Sequence, residues 1–275
     1  MTIKNVLFSI GILLMLSCNS KQSAKNEQQL ESPIQLKVAA YNVEVSRNAS
    51  AKEIGIALKS YDFDVVCFSE APGGDWTKEV AGVMGLTYVT VGKYTTAGHE
   101  DKYKTIASRT PLYGVDEILM ADTLHTVTKA MTKIRDKEIG IYSVHFPFGW
   151  RDQTHIDETT GKVTAFVDYL KKLHGEEVPV VMGDFNFIPT NPEKISPYHE
   201  LFVDLGLDVH WKGLGIDATK INTHNALKPE DEGNGKVIDH VMYEAASWKV
   251  LDGGIVEMER QLSDHKAVWV LLEFK

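Results

Sequence analysis

The chain has little of what holds unusual folds together. Two cysteines in 275 residues exclude a disulfide framework and a cysteine-rich zinc module. No apolar run reaches the roughly 20 residues that a membrane-spanning helix needs. No internal repeat or low-complexity tract is present. An excess of basic charge is also missing: 29 Lys and Arg against 38 Asp and Glu give a formal charge of −9. No general field therefore draws in polyanions, although a local cation site can still serve a nucleic-acid substrate. What is present is 43% hydrophobic and 24% charged residues, enough for a sizeable core and inconsistent with wholesale disorder. The length suits one large domain or two small ones.

The first residues read as targeting rather than fold. Lys4 precedes an apolar run from Val6 to Leu16, followed at once by Ser17-Cys18-Asn19-Ser20. That is the length of the apolar region of a secretory signal. Met15-Leu16-Ser17-Cys18 looks like a bacterial lipobox, with Met15 where Leu is more usual. The expectation is a lipoprotein signal over 1–17 and a lipidated Cys18. A flexible polar tether over 18–34 follows. The protein is then exported and lipid-anchored in a bacterial cell envelope. Cys67, inside Val65-Val66-Cys67-Phe68, reads as a buried apolar filler rather than a nucleophile.

From Gln35 onward short β-rich runs alternate with longer mixed segments. Strands are expected over 36–41, 65–68, 86–91, 104–108, 126–134, 139–145, 178–182, 237–243, 248–256 and 267–273. Helices are expected over 50–60, 77–84, 160–174 and 197–205. In the third of these, Val163, Phe166, Val167 and Leu170 recur at i, i+3, i+4 and i+7. Pro179-Val180-Val181-Met182 is apolar on both faces, as a strand buried between layers would be. No linker splits the region, so one α/β domain is expected over 35–275.

Polar chemistry clusters at the strand ends. Asn42 follows the first strand, Glu70 the second, and His145 ends the run that starts at Ile139. Gly183-Asp184-Phe185-Asn186 follows the run at 178–182. Ile238-Asp239-His240 and Ser263-Asp264-His265 come near the C-terminus. In open α/β sheets, residues just past the strand carboxyl ends converge on one rim where ligands bind. Carboxylates, amides and histidines from distant positions suit a hard divalent cation, Mg²⁺, Mn²⁺ or Ca²⁺, rather than zinc. Competing chemistries lack their motifs. There is no Gly-x-Ser-x-Gly elbow and no His-Glu-x-x-His, and Gly92-Lys93 lacks the preceding glycine of a phosphate-cradling loop. Hydrolysis of a phosphate ester remains, with a metal neutralising developing charge and a histidine managing a proton.

Asn42, Glu70, His145, Gly183-Asp184-Phe185-Asn186, Asp239 and Ser263-Asp264-His265 resemble, in this order, the endonuclease/exonuclease/phosphatase superfamily, which includes deoxyribonuclease I and the sphingomyelinases. The resemblance implies a four-layer α/β sandwich, two packed mixed β-sheets flanked by helices. It implies Glu70 as the principal metal ligand, with Asn42 beside it and Asp264 as a second or alternative ligand. His265 is then the catalytic histidine near the scissile phosphate, oriented and charged by Asp239. Asp184 serves the attacking water or the leaving group, and Asn186 holds a phosphoryl oxygen. Asp184 and Asn186 lie two apart and point the same way if the chain stays extended. His145 matches the family's second histidine, contacting phosphate or acting as general acid, with Glu100 or Asp101 as its acidic partner.

The loop Phe146-Pro147-Phe148-Gly149-Trp150-Arg151 sets three aromatics and a cation beside the site, with Trp150 to stack on a ring or base and Arg151 to hold a phosphate. Trp76, Trp211, Lys212 and Lys93 are further loop candidates. The remaining histidines, His224 among them, read as surface or core residues.

The function expected is an exported, metal-dependent phosphoesterase hydrolysing a phosphodiester or phosphomonoester, with a small or lipid-like phosphodiester favoured over duplex DNA. The rivals are a secreted nuclease acting on DNA or RNA, and a surface binding lipoprotein without catalysis. A monomer without protein partners is expected, attached to the membrane through Cys18.

Overall fold

The computed structural model describes residues 32–148, 152–186, 199–227 and 237–275. The expected signal, Cys18 and most of the expected tether lie outside these residues, as do Trp150 and Arg151. The folded unit runs from Pro33 to Lys275.

In chain order the elements are β1 (Gln35–Asn42), α1 (Ala51–Lys59), β2 (Val65–Ala71), α2 (Trp76–Met84), β3 (Tyr88–Val91), β4 (Tyr103–Ser108), β5 (Tyr113–Leu119), β6 (Thr126–Ile134), β7 (Lys137–His145), α3 (Gln153–Lys172), β8 (Val178–Asp184), α4 (His199–Val203), β9 (Leu207–Val209), α5 (His210–Gly213), β10 (Asp239–Glu244), β11 (Trp248–Ile255) and β12 (Val268–Phe274). They form two six-stranded sheets, in the orders β11-β12-β1-β2-β4-β3 and β5-β6-β7-β8-β10-β9. Each has a parallel pair at its centre, β1 with β2 and β7 with β8, and antiparallel neighbours outside.

Strand alternation explains the layering. Val38 and Ala40 of β1 point into a core shared with Ile139 and Ile141 of β7 and with Val180 and Met182 of β8. Ala39 and Tyr41 point the other way, onto Ile54 and Leu58 of α1 and Val80 and Met84 of α2. On the second sheet Tyr142, Val144 and Val181 pack against Val163, Phe166, Val167 and Leu170 of α3. Both faces of each sheet are thus covered, which requires the near-continuous apolar runs seen at 65–68 and 178–182. The four-layer sandwich expected from the sequence is the fold found.

Two strands were missed. Residues 113–119 read Tyr-Gly-Val-Asp-Glu-Ile-Leu, and β5 is an edge strand with most positions exposed. An edge strand buries too little to impose alternation, and charges there protect it from pairing with other chains. The second, β9, has only three residues. Helix α3 begins seven residues before the expected 160, because Asp152 caps it by accepting a hydrogen bond from the His155 backbone N–H. Capping also sets the start of α1, where Ser50 and Glu53 form a reciprocal capping box. Cys67 is fully buried, and burial pushes its thiol up, so it is no nucleophile.

Candidate active site

Strands β1 and β2 run parallel, as do β7 and β8, and hydrogen bonds from Ser69 to Val144 and from Asn42 to Asp184 bring the ends of both pairs to one rim. Asn42 closes β1, His145 closes β7 and Asp184 closes β8, with His145 and Asp184 paired in register. Strand β10 runs antiparallel to β8 and so brings its first residue, Asp239, opposite Asp184. Two hydrogen bonds tie the sheets together here. The Ser69 hydroxyl donates to the Val144 carbonyl at 2.9 Å, and Asn42 Nδ2 donates to Asp184 Oδ2 at 3.0 Å.

Local backbone shape supplies the rest. Glu70 adopts a left-handed φ of 51° at an irregularity in the β2–β4 register between Phe68 and Ala71. A bulge of this kind re-aims a side chain, and the strain of a non-glycine residue there marks a held position. Gly183 has φ 144°, and a Cβ on it would lie 2.1 Å from the Val144 carbonyl oxygen. No side chain fits, which is the physical reason for a glycine before Asp184. The chain then turns rather than staying extended. Asn186 has φ 51°, and its backbone N–H donates to Asp184 Oδ1 at 2.7 Å. The expectation of an extended Asp184–Asn186 pair is corrected accordingly: the two meet through a turn that asparagine tolerates well. Asn186 Nδ2 donates to the Phe146 carbonyl at 3.1 Å, leaving its second amide hydrogen for another acceptor.

His265 is anchored by Asp239, with Nδ1 at 2.9 Å from Oδ2 and 3.2 Å from Oδ1. The Ser263 hydroxyl donates to the Asn42 carbonyl at 2.8 Å and so pins this segment to the end of β1. His265 Nε2 lies 3.8 Å from Asp184 Oδ2 and 4.0 Å from Asp264 Oδ1. His145 Nε2 lies 3.5 Å from Asp184 Oδ2 and 3.8 Å from Glu70 Oε1. Residues from six separate segments therefore meet within a few ångströms.

The electrostatics separate these groups. Burial raises the pKa of Asp184, and the neighbouring Asp239 adds to the rise. Burial alone would lower His265, but Asp239 and then Asp184 overcome it and raise its pKa. Burial, reinforced by Lys104, holds His145 well below the usual histidine value and so neutral. Burial and the neighbouring carboxylates thus push His265 toward its charged form, and Asp184 and His145 toward their neutral forms.

The described side chains at this rim include groups able to hold a divalent cation. Lys102 places its ammonium 2.6 Å from Glu70 Oε2, so the Glu70 carboxylate already receives a positive charge. Asn42 Oδ1, which accepts from the Glu44 N–H at 3.1 Å, is a second oxygen donor. Asp184, Asp239 and His265 offer ligand atoms within 4.8 Å of one another, and so do His224, Asp264 and His265.

Other expectations change. Neither Glu100 nor Asp101 pairs with His145. Asp101 accepts from the Gly73 N–H at 2.8 Å, and Glu100 is exposed. His145 Nδ1 is buried without a hydrogen-bond partner among the described residues. Of the aromatic loop, Phe146 is core, packed on Phe166, Phe185 and Phe202, so it cannot stack on a substrate. Phe148 is 39% exposed and lies against His155. Trp211 is buried and donates to His240 Nδ1, while Lys212 pairs with Asp208. Trp76 donates to the Ser46 hydroxyl.

His224 is the residue that sequence reasoning passed over. Its ring lies 5.0 Å from that of His265, centroid to centroid. Nothing in Asn222-Thr223-His224-Asn225 marks it locally; only the pairing with the 263–266 segment brings it in.

Folds of this construction recur among solved structures. An endonuclease/exonuclease/phosphatase from Beutenbergia cavernae DSM 12333 superposes with a TM-score of 0.71 at 18% identity, over 87% of this chain and 72% of that one. A family member from Bacteroides vulgatus gives 0.67 at 15% identity, over 88% and 100%. Truncated TDP2 from Caenorhabditis elegans gives 0.64 at 14%, over 88% and 98%. Among curated proteins none matches the chain by sequence. The model of the endonuclease/exonuclease/phosphatase family matches residues 39–265, and the chain belongs to that family. Its members are hydrolases of phosphoester bonds and are generally dependent on divalent metal.

Proposed function

We propose that the protein is an exported, divalent-metal-dependent phosphoesterase that takes a small or lipid-like phosphodiester in preference to duplex DNA. The observation that carries the reading is the meeting of Glu70, Asn42, His145, Asp184, Asn186, Asp239 and His265 at one rim, with the Asp239–His265 bond at 2.9 Å. An acidic chain gives no counterion-release drive toward polynucleotides, which favours the smaller substrate. Cys18 attaches the protein to the bacterial envelope by lipid, and it acts there as a monomer.

Glu70 and Asn42, with Asp264, would hold Mg²⁺ or Mn²⁺, which would supply neutralisation of the negative charge that develops in the reaction. Asp184, made more basic by burial, takes the proton of the attacking water as its oxygen bonds to phosphorus. The Asn42 amide and the Asn186 N–H each hold one Asp184 oxygen and so fix its aim. His265, charged by Asp239, donates from Nε2 to a phosphoryl oxygen where negative charge builds up. Neutral His145 is a poor proton source, so it contacts the phosphate rather than acting as general acid. Asn186 gives its second amide hydrogen to another phosphoryl oxygen. The ester P–O bond then breaks, and the departing oxygen is protonated from solvent.

The test is hydrolysis by the purified chain, with Mg²⁺ or Mn²⁺, of bis-p-nitrophenyl phosphate, sphingomyelin, RNA and plasmid DNA. Turnover of the small or lipid diester is expected. Rapid plasmid nicking without it would make the protein a nuclease, and no turnover of any substrate would leave a binding lipoprotein.

A further inference from the structure

The pairing of His224 with His265 has no place in the hydrolytic scheme. His224 and His265 form an antiparallel bridge outside the two sheets. The Lys266 N–H donates to the Thr223 carbonyl at 2.7 Å, and the Ala226 N–H donates to the Asp264 carbonyl at 2.8 Å. The Thr223 hydroxyl in turn accepts from the backbone N–H groups of Ile238 and Asp239. His224 is therefore held by main-chain bonds on both sides and not by chance side-chain packing.

One atom each from His224, Asp264 and His265 lies within 4.8 Å of the other two. Tetrahedral coordination with metal–ligand bonds of about 2.0–2.2 Å sets ligand atoms roughly 3.3–3.6 Å apart. Small side-chain rotations close that difference. Asp239 occupies Nδ1 of His265, so Nε2 is the nitrogen left to bind a cation. A carboxylate behind a ligating histidine fixes its tautomer and strengthens it as a ligand. His224 and Asp264 are half-buried, which gives a cation a way in. Two imidazoles and one carboxylate suit a borderline transition cation, whereas Mg²⁺ and Ca²⁺ choose oxygen donors.

We propose that His224, Asp264 and His265 form a second, overlapping site for a transition cation such as Zn²⁺, and that filling it switches hydrolysis off. Inhibition follows because the cation displaces the Nε2 proton of His265 to solvent, and the ring then has no N–H for the phosphate. This second half rests on the function proposed above; the binding half does not. Asp264 is common to both metal sites, so Zn²⁺ also draws a ligand away from Mg²⁺.

The experiment is calorimetric titration of the untagged full chain with ZnCl₂ alone, on wild type, His224→Phe, His224→Gln and Glu70→Ala. Phenylalanine keeps the ring contact with His265 and removes the ligand nitrogen; melting curves matched to wild type show that each variant folds. Wild type is expected to bind one Zn²⁺ at this site. Both His224 variants should lose at least tenfold in affinity, and Glu70→Ala should stay within twofold. In Mg²⁺, micromolar Zn²⁺ should inhibit wild type and leave His224→Phe active. Unchanged Zn²⁺ affinity in the folded His224 variants, or no binding by wild type, overturns the site. Binding that depends on His224 in a chain that hydrolyses nothing would keep the site and refute the phosphoesterase reading.

Discussion

Replacing Asp239 with asparagine isolates one contact of the site. The side chain is fully buried, and its carboxylate lies 2.9 Å from His265 Nδ1. The amide has nearly the same shape, so the Asp184–Asp239 strand pairing should survive. What disappears is a charge-assisted hydrogen bond, worth about 1.5–3 kcal/mol. At about 1.36 kcal/mol per decade this is roughly a 10- to 150-fold loss in rate. An amide also tends to hold the imidazole in the wrong tautomer, and the loss then approaches roughly 10⁴. The expectation is a fall in kcat/KM of roughly 10² to 10⁴, mostly in kcat, at unchanged far-UV circular dichroism. Asp239 is also the chief influence raising His265, so the alkaline limb of the pH profile should move to lower pH. Initial rates from pH 5 to 10 measure both effects. A folded Asp239→Asn variant with activity within fivefold of wild type and an unmoved alkaline limb would refute the role given to this pair.

Other outcomes follow from the same geometry. Since burial raises Asp184 and the base must be ionised, kcat/KM should fall on acidification with a limb well above the ordinary carboxylate value of about 4; a limb near 4 contradicts this. Gly183→Ala should cost roughly 3 kcal/mol or more, read by urea denaturation, because its Cβ would meet the Val144 carbonyl and its φ of 144° is closed to alanine. Lys104 is fully buried 3.8 Å from Glu117, and burial lowers its pKa to about 8 against the partial support of Glu117. Between about pH 8 and 10.5 the unfolded chain then binds more protons at Lys104 than the folded one, so this group makes stability rise with pH by about 3 kcal/mol. Lys104→Met combined with Glu117→Gln should abolish that rise; a double variant that keeps the wild-type slope would show that Lys104 is not its source.

What was legible in the sequence was what sequence periodicity and local motifs can carry. Apolar runs at 65–68 and 178–182 announced strands covered on both faces, and polar residues at their ends announced the rim. Gly183 was legible as part of a motif, but its reason, the Val144 carbonyl, belongs to a neighbouring strand. Strand β5 was hidden because an edge strand has no second neighbour to enforce alternation. His145 ends β7 at the rim, but the acidic partner that the resemblance implied at Glu100 or Asp101 is not there. The turn at Glu100 and Asp101 directs Asp101 to Gly73 instead. His224 stayed hidden because its meaning comes entirely from a main-chain pairing with a segment some forty residues away.

The most direct test compares wild type with Glu70→Ala and His265→Ala for release of p-nitrophenol from bis-p-nitrophenyl phosphate, before and after EDTA and again after added Mg²⁺. The account predicts that EDTA abolishes wild-type turnover, that Mg²⁺ restores it, and that each variant loses at least roughly 10²-fold. Variants that match wild type, or turnover indifferent to EDTA, would contradict it.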